Sequence, residues 1–562
     1  MRRPIRRGAM TAAVAALALV LAGCGGGGSG GPAQTAESLS TTPSYNEQPY
    51  ENVKDGGEVT LPMRAEITPQ FNTFQGDGTT DTRLAWNWYN PRLITYTPTG
   101  DPLFNADYIV DAKESATGGN TTITYTLNPK AVFNDGTPLD WRVFEATWKS
   151  NNGTDKAFIA NSTDGYDRIS SVKRGADDRQ AIVTFAGSYP SWPGLFNQVL
   201  HPKAATPDVY NKGYLNSPHP EWGAGPYTLT NFDKQNATLS FERNPKWWGR
   251  KGKLDKVTLI SMEQQAKINA FRNGQLDATE AETADFLAQA RTVPGADIRI
   301  SGQPASFLMT FNSTAPALKE QPVRKAMMQA VDRDQITKIA FQGMDYSEAP
   351  LGSLVNKPYQ KGYEDDVAAS IGGFDPEAAN QGLDAAGWAR GADGVRAKNG
   401  QRLSVSYVQT GDTPTKRATS GALVAMMKNI GVDLQVRQVP SSQFATLLAN
   451  KEFDLLISGF FSYDPYGVAG ICQLYCSDSQ LNLSGTGTAQ LDTELRGIAD
   501  LGSLDEQNAA GNAAEKKALA TNGLLPLYSG PEVWATKPGL ANFGSDIFAS
   551  PLPETIGWQN GS

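Results

Sequence analysis

Histidine is nearly absent from this chain. Its 562 residues include only His201 and His219, each followed by proline. A zinc site or a Ser-His-Asp triad would have to draw on one of the two, and nothing nearby supplies the spacing. Both read as loop residues. No glycine-rich loop ends in lysine to hold a phosphate, and no paired-carboxylate motif stands out, so the sequence reads as a non-enzyme with neither cofactor nor metal. A basic block is missing too. Lys and Arg number 50 against 58 Asp and Glu, a formal charge of −8. Nucleic-acid phosphates demand clustered cations, so a nucleic-acid partner is excluded. Cysteine occurs three times, at Cys24, Cys472 and Cys476. The later two lie four residues apart, which fits a small loop or one helical turn. In an oxidising exterior such a pair reads as a disulfide. Metal binding is the alternative, and no third ligand sits near.

Long apolar runs are also lacking. The one at the start, Met10 to Ala22, falls short of the roughly 20 residues that span a bilayer. Arg2, Arg3, Arg6 and Arg7 precede it and small residues follow, the plan of a secretory signal. Leu21-Ala22-Gly23-Cys24 resembles the bacterial lipobox, which implies cleavage before Cys24 and lipid attachment to its thiol. Each buried lipid methylene contributes roughly 0.8 kcal/mol, so two or more chains hold stably. The expected location is the outer face of the cell membrane, lipid-anchored after export. Gly25 to Ser44 are Gly, Ser, Thr, Pro and Gln with almost no large apolar residue, a flexible tether.

Roughly 510 residues follow, enough for two or three domains. Hydrophobic content is ordinary for a globular protein, at 40%. Tryptophan is concentrated in the first half, at positions 86, 88, 141, 148, 192, 222, 247 and 248. Such rings suit ligand clefts as well as cores. Gly57 to Pro62 reads as a strand, and Thr121 to Leu127 alternates as a half-buried one. Asn134-Asp135-Gly136-Thr137-Pro138 is turn chemistry, and Asp140 can cap the helix beyond it. Ala181 to Phe185 is a further strand, and Tyr227 to Leu229 with Thr238 to Phe241 forms a pair. After residue 263 helices and strands alternate. Gln264 to Phe271 is helical, Asp332 and Asp375 open two more helices, and Thr415 to Asn429 is a long one stopped by Gly431. Val432 to Val436 is a strand, a helix runs around Phe444 to Ala449, and the apolar run Phe453 to Phe461 reads as a buried strand. The texture is α/β, without internal repeats.

Five blocks in order carry a resemblance. They are Ile123-Thr124-Tyr125-Thr126-Leu127 through Val132-Phe133-Asn134-Asp135-Gly136-Thr137-Pro138-Leu139 to Trp148; Gly223-Ala224-Gly225-Pro226-Tyr227 with Glu242-Arg243-Asn244-Pro245 and Trp248-Gly249; Phe271-Arg272-Asn273-Gly274-Gln275-Leu276-Asp277-Ala278; Phe311-Asn312 with Val323-Arg324-Lys325-Ala326 and Ala330-Val331-Asp332-Arg333; and Phe374-Asp375-Pro376-Glu377 with Ala386-Gly387-Trp388. From residue 56 to about 535 the chain resembles family 5 extracellular solute-binding proteins, the peptide receptors of ABC importers, in an actinobacterial form. The resemblance implies a two-lobed periplasmic-binding-protein clamshell with mixed sheets and an extra subdomain in the first lobe. It divides the chain into a signal peptide (1–23), lipidated cysteine and tether (24–55), first lobe (56–90 and 216–308) with its subdomain (91–215), second lobe (309–519) and a return to the first lobe (520–562), crossing near 308 and 520.

The implied function is capture of short peptides between the lobes and delivery to the permease subunits of an ABC transporter, by a monomer. The other reading is a related clamshell that binds a glycolipid or oligosaccharide for cell-envelope lipoglycan assembly. A bound peptide needs strand edges for its backbone, a carboxylate for its ammonium, and a cation or helix N-terminus for its carboxylate. The family places the amine-binding aspartate just after the strand that here ends at Phe460-Phe461. The segment continues Ser462-Tyr463-Asp464-Pro465 and is shorter than the family pattern. Asp464 is the expected ammonium ligand, and a turn cap before Pro465 is its alternative. In that case Ser462 and Tyr463 face the cleft and the ligand lacks a free amine. Arg417, beside Lys416 at the start of the long helix, is expected at the carboxylate end, with a solvated helix face as its alternative. Further expected cleft residues are Phe71, Asn72, Trp88 and Tyr89 from the early loops, Trp222, Gly223 and Ala224, Phe307 and Met309 at the lobe change, and Phe461.

Overall fold

The computed structural model describes residues 41–63, 70–440, 443–462 and 464–561. Cys24, the signal segment, most of the tether and Tyr463 lie outside the described residues. Among the described residues no helix is long and apolar enough to cross a membrane.

Four larger sheets organise the chain. The first has the order Glu58–Pro62, Lys256–Ile260, Thr238–Arg243, Tyr227–Asp233. The amino-terminal strand pairs parallel to Lys256–Ile260, and the other pairs are antiparallel. Alternation sets the strands' faces: Val59, Leu61, Val257, Leu259, Leu239 and Phe241 point inward and are buried. The side chains of Trp86, Trp88 and Tyr89 from helix Thr80–Tyr89 complete that core.

A second, antiparallel sheet holds Ile109–Thr117, Asn120–Leu127, Gln180–Phe185 and Ile169–Arg174. Strand Asn120–Leu127 buries every second residue. Helix Trp141–Asn151 packs beside the sheet, started by Asp140, whose carboxylate accepts the Arg142 amide at 3.0 Å. The turn ahead of it uses Gly136 at φ +87°, a conformation that favours glycine.

The third sheet is mixed, in the order Asp433–Val439, Ser404–Thr410, Leu455–Phe461, Ala305–Phe311, Leu524–Tyr528. Helices Gln321–Gln329, Pro376–Ala385 and Pro414–Asn429 share its core. Thr413 caps the last of these by accepting the Lys416 amide, and Gly431 at φ +76° follows it.

Strand Leu455–Phe461 departs from the continuous burial expected of it. Leu455 and Leu456 are buried, but exposure rises along the strand until Phe461 is 47% exposed. Pairing explains this. Ser404–Thr410 pairs with it only at Leu455 and Leu456, while Ala305–Phe311 pairs along its whole length. From Ile457 onward one edge has no ladder partner among the described residues.

A three-stranded sheet of Ala278–Glu280, Pro531–Thr536 and Asp297–Gly302 stands next to the mixed one along the chain. Two connections join these sheets: Gln303–Pro304 between Asp297–Gly302 and Ala305–Phe311, and Ser529–Gly530 between Leu524–Tyr528 and Pro531–Thr536.

Candidate functional site

Helix Thr80–Tyr89 starts beside a cavity. Its capping box is reciprocal: the Thr79 hydroxyl accepts the Thr82 amide, and the Thr82 hydroxyl accepts the Thr79 amide. Thr79, Thr80 and Arg83 from this end line a cavity of about 460 Å³. Other walls come from the loops at 161–166 and 189–198, from 354–360, and from 460–475 beyond the half-open strand. Segments far apart along the chain therefore meet here. The volume suits a small organic solute, for which sites run about 300–1,000 Å³.

Contacts between segments before residue 200 and segments after residue 460 lie at or near this space. Gln473 Nε2 donates to Asp164 Oδ2 at 2.5 Å, Ser191 Oγ donates to Gln507 Oε1 at 3.1 Å, and Arg168 pairs with Asp500. The Tyr96 and Tyr466 rings meet edge-on at 6.3 Å. The charged residues lining the cavity are Arg83, Asp164, Lys357 and Asp464, two of each sign. Such a site suits a ligand that carries both charges.

Asp464 is open to the cavity but crowded by protein. Its Oδ1 accepts the Tyr466 amide at 2.9 Å, and its other oxygen has no hydrogen-bond partner among the described residues. The surrounding protein disfavours the charged form and raises its pKa to about 6. The Tyr466 amide and the Arg83 charge oppose that rise, and Asp164 adds to it. Turn cap and cavity wall thus coincide in one residue. Ser462 also lines the cavity, and its amide donates to Pro304 O at 3.0 Å.

The remaining expected residues lie elsewhere. Phe71 is buried against Phe232, with ring centroids 5.0 Å apart, and Asn72 is buried with its amide donating to Tyr210 O at 2.9 Å. Tyr89 is buried, its hydroxyl donating to Pro218 O at 2.6 Å. Trp88 packs against Tyr227 and borders a smaller neighbouring cavity of about 230 Å³. A side chain at Gly223 would meet Tyr89 O at 2.7 Å, and Ala224 is fully buried, so both serve close packing. Trp222 stacks between His219 at 3.8 Å and His201 at 5.4 Å, which accounts for both histidines. Met309 is core. Phe307 stacks on Tyr528 at 5.0 Å and meets Phe461 edge-on at 6.0 Å. Arg417 is exposed and pairs with Asp412 at 2.6 Å. Cys472 and Cys476 form a disulfide across the turn of helix Ile471–Tyr475, with Cα atoms 4.7 Å apart.

Arg83, Asp164, Gln360, Gln473 and Lys357 also line the cavity, and no local motif marks them in the sequence. Lys357 alone left a trace: it ends the apolar stretch Leu351-Gly352-Ser353-Leu354-Val355-Asn356, where a solvated lysine has no natural place.

Known proteins match this architecture closely. The OppA oligopeptide-binding protein of Mycobacterium tuberculosis is 31% identical over 94% of this chain and 89% of its own length. The solved structure of a periplasmic EDTA-binding protein, EppA, superposes with a TM-score of 0.82 at 23% identity, over 94% of this chain and all of that one. Bacillus subtilis AppA, solved with a nonapeptide, gives 0.70 at 16% identity, over 90% of this chain and 99% of its own. These folds are two-lobed periplasmic binding proteins. Because the family model for bacterial extracellular solute-binding proteins, family 5, matches residues 110–481 and the mycobacterial relative matches nearly end to end, the chain belongs to that family.

Proposed function

We propose that this protein captures short peptides between its lobes and hands them to the permease subunits of an ABC importer. It does so from the outer membrane face, held there by lipid on Cys24. The family is one of binding proteins, so the work is capture and not catalysis. One observation carries the peptide reading. The unpaired edge of strand Leu455–Phe461 runs into a cavity whose charged residues are two cations and two carboxylates. A peptide backbone can add to that edge as a further strand. Its ammonium can pair with the open oxygen of Asp464. The oligopeptide-binding name of the mycobacterial relative supports the same reading.

The anchoring follows from chain order. Lipid at Cys24 and the glycine-rich tether keep the clamshell within reach of a membrane partner. A Cys24→Ala chain should take up no labelled fatty acid and should keep its leader uncut, as metabolic labelling and mass spectrometry would show; equal labelling of the variant and the wild type would exclude the anchor.

The direct test of function is mass spectrometry of whatever co-purifies with the soluble form starting at Gln34. Peptides of a few residues are expected. A sugar-lipid bound tightly in their place would sink the peptide reading and favour the envelope-assembly one.

A further inference from the structure

Lys357 is 5% exposed and lines the interlobe cavity. An ammonium has three donors, yet its only hydrogen-bond partner among the described residues is the hydroxyl of Ser306. The nearby carboxylates are committed elsewhere. Glu348 accepts the Ser529 and Gly530 amides at 2.6 and 2.9 Å and the Tyr346 hydroxyl at 2.7 Å. Glu515 accepts the Leu354 amide at 2.9 Å, the Tyr475 hydroxyl at 2.7 Å and the Ser353 hydroxyl. Neither forms an ion pair with Lys357 within 4 Å. A buried cation left this way is costly, and a ligand anion is what would complete it.

We propose that Lys357 receives a carboxylate of the bound ligand, so that the protein selects solutes with a free anionic end. This rests on the peptide reading above and adds the second pole of the site: ammonium at Asp464, carboxylate at Lys357. It also gives Lys357 the role expected of Arg417, which is exposed and paired with Asp412. The position matters mechanically. Ser306 is the second residue of the strand that follows the Gln303–Pro304 connection, and Glu348 grips the Ser529–Gly530 connection, so an anion held here sits beside both connections. Burial lowers the Lys357 pKa to about 8, with Glu515 and Glu348 opposing the fall. The free protein is therefore close to losing the charge that the ligand needs.

The test offers the full chain random tripeptide mixtures in free, N-acetylated and C-amidated form and counts the retained species by native mass spectrometry. C-amidation is expected to cut retention by the wild-type chain at least tenfold. Lys357→Met should hold free and amidated peptides equally, at the amidated level. Wild-type retention should fall above about pH 8, and the variant's should not. If amidated peptides ending in Asp or Glu are retained selectively, the carboxylate comes from a side chain, and the inference stands. Equal retention of free and amidated peptides by the wild type, without such enrichment, overturns it and leaves the peptide reading intact. Retention of no peptide form overturns both.

Discussion

Asp464 caps its own turn with one oxygen and lines the cavity, so in the proposed role its ionisation would decide how well it holds an ammonium. With its pKa raised to about 6, affinity for a free-amine peptide should be flat above that pH and drop about tenfold per unit below it. Asp464→Asn keeps an oxygen for the Tyr466 amide but removes the charge. A hydrogen bond to a charged group contributes about 1.5–3 kcal/mol, so the variant should lose roughly 10–100-fold in affinity, and with it the acid limb. Calorimetry from pH 5 to 8 checks this; an Asn variant that keeps the wild-type pH curve excludes the ammonium role. Stability moves the other way. A carboxyl group whose folded pKa lies above its ordinary 3.8 stabilises fully below 3.8 and loses that contribution as pH rises through about 6. Unliganded Asp464→Asn should therefore melt higher than wild type at pH 7.5, the usual exchange of stability for function.

Helix Leu504–Leu519 matters to the site although none of its side chains lines the cavity. Its Glu515 ties together the segment carrying Lys357 and the helix carrying Tyr475, through Ser353, Leu354 and Tyr475. Glu515→Ala strands three buried donors, a loss of at least about 3 kcal/mol by urea denaturation. Peptide affinity should fall with it, because Lys357 loses its footing. An unchanged urea midpoint would deny Glu515 this part. Asp366 is buried beside the same helix, 3.3 Å from Lys516 Nζ, and burial together with Glu515 raises its pKa to about 7. As with Asp464, its stabilisation is complete below 3.8 and disappears as pH climbs through about 7. Asp366→Asn should flatten the melting temperature between pH 5.5 and 8.5, where the wild type declines. At this scale the sequence was readable wherever the cause was local. Asp140, Asp332 and Asp375 each cap the helix that follows them, and alternation marked Asn120–Leu127. It was unreadable where the cause lay far along the chain. Whether Phe461 is buried depends on where Ser404–Thr410 stops pairing, and whether Arg417 reaches the cleft depends on which face of its helix meets the sheet.

Two short connections join the mixed sheet to the sheet of Ala278–Glu280, Pro531–Thr536 and Asp297–Gly302, and capture as proposed requires movement about them, a hinge. What favours contact between the lobes is modest apart from the ligand. Arg168–Asp500 is partly exposed, with Asp500 61% accessible, and such pairs contribute about 0–1 kcal/mol. Gln473–Asp164 adds a solvent-exposed hydrogen bond, which screening by water limits to about 1 kcal/mol. These contacts exist only when the lobes meet, whereas ligand groups can find one lobe first. Their loss should therefore speed release more than it slows capture. Arg168→Ala with Gln473→Ala is expected to weaken peptide binding about 5–30-fold, nearly all of it in the dissociation rate. Raising salt should erase the arginine's share, because exposed charges are screened, and leave the glutamine's share intact. Stopped-flow measurement of peptide release at low and high salt separates the two. If the double variant releases peptide at the wild-type rate, these contacts do not help hold the lobes around the ligand, and that task falls to the ligand's own bonds to Asp464 and Lys357.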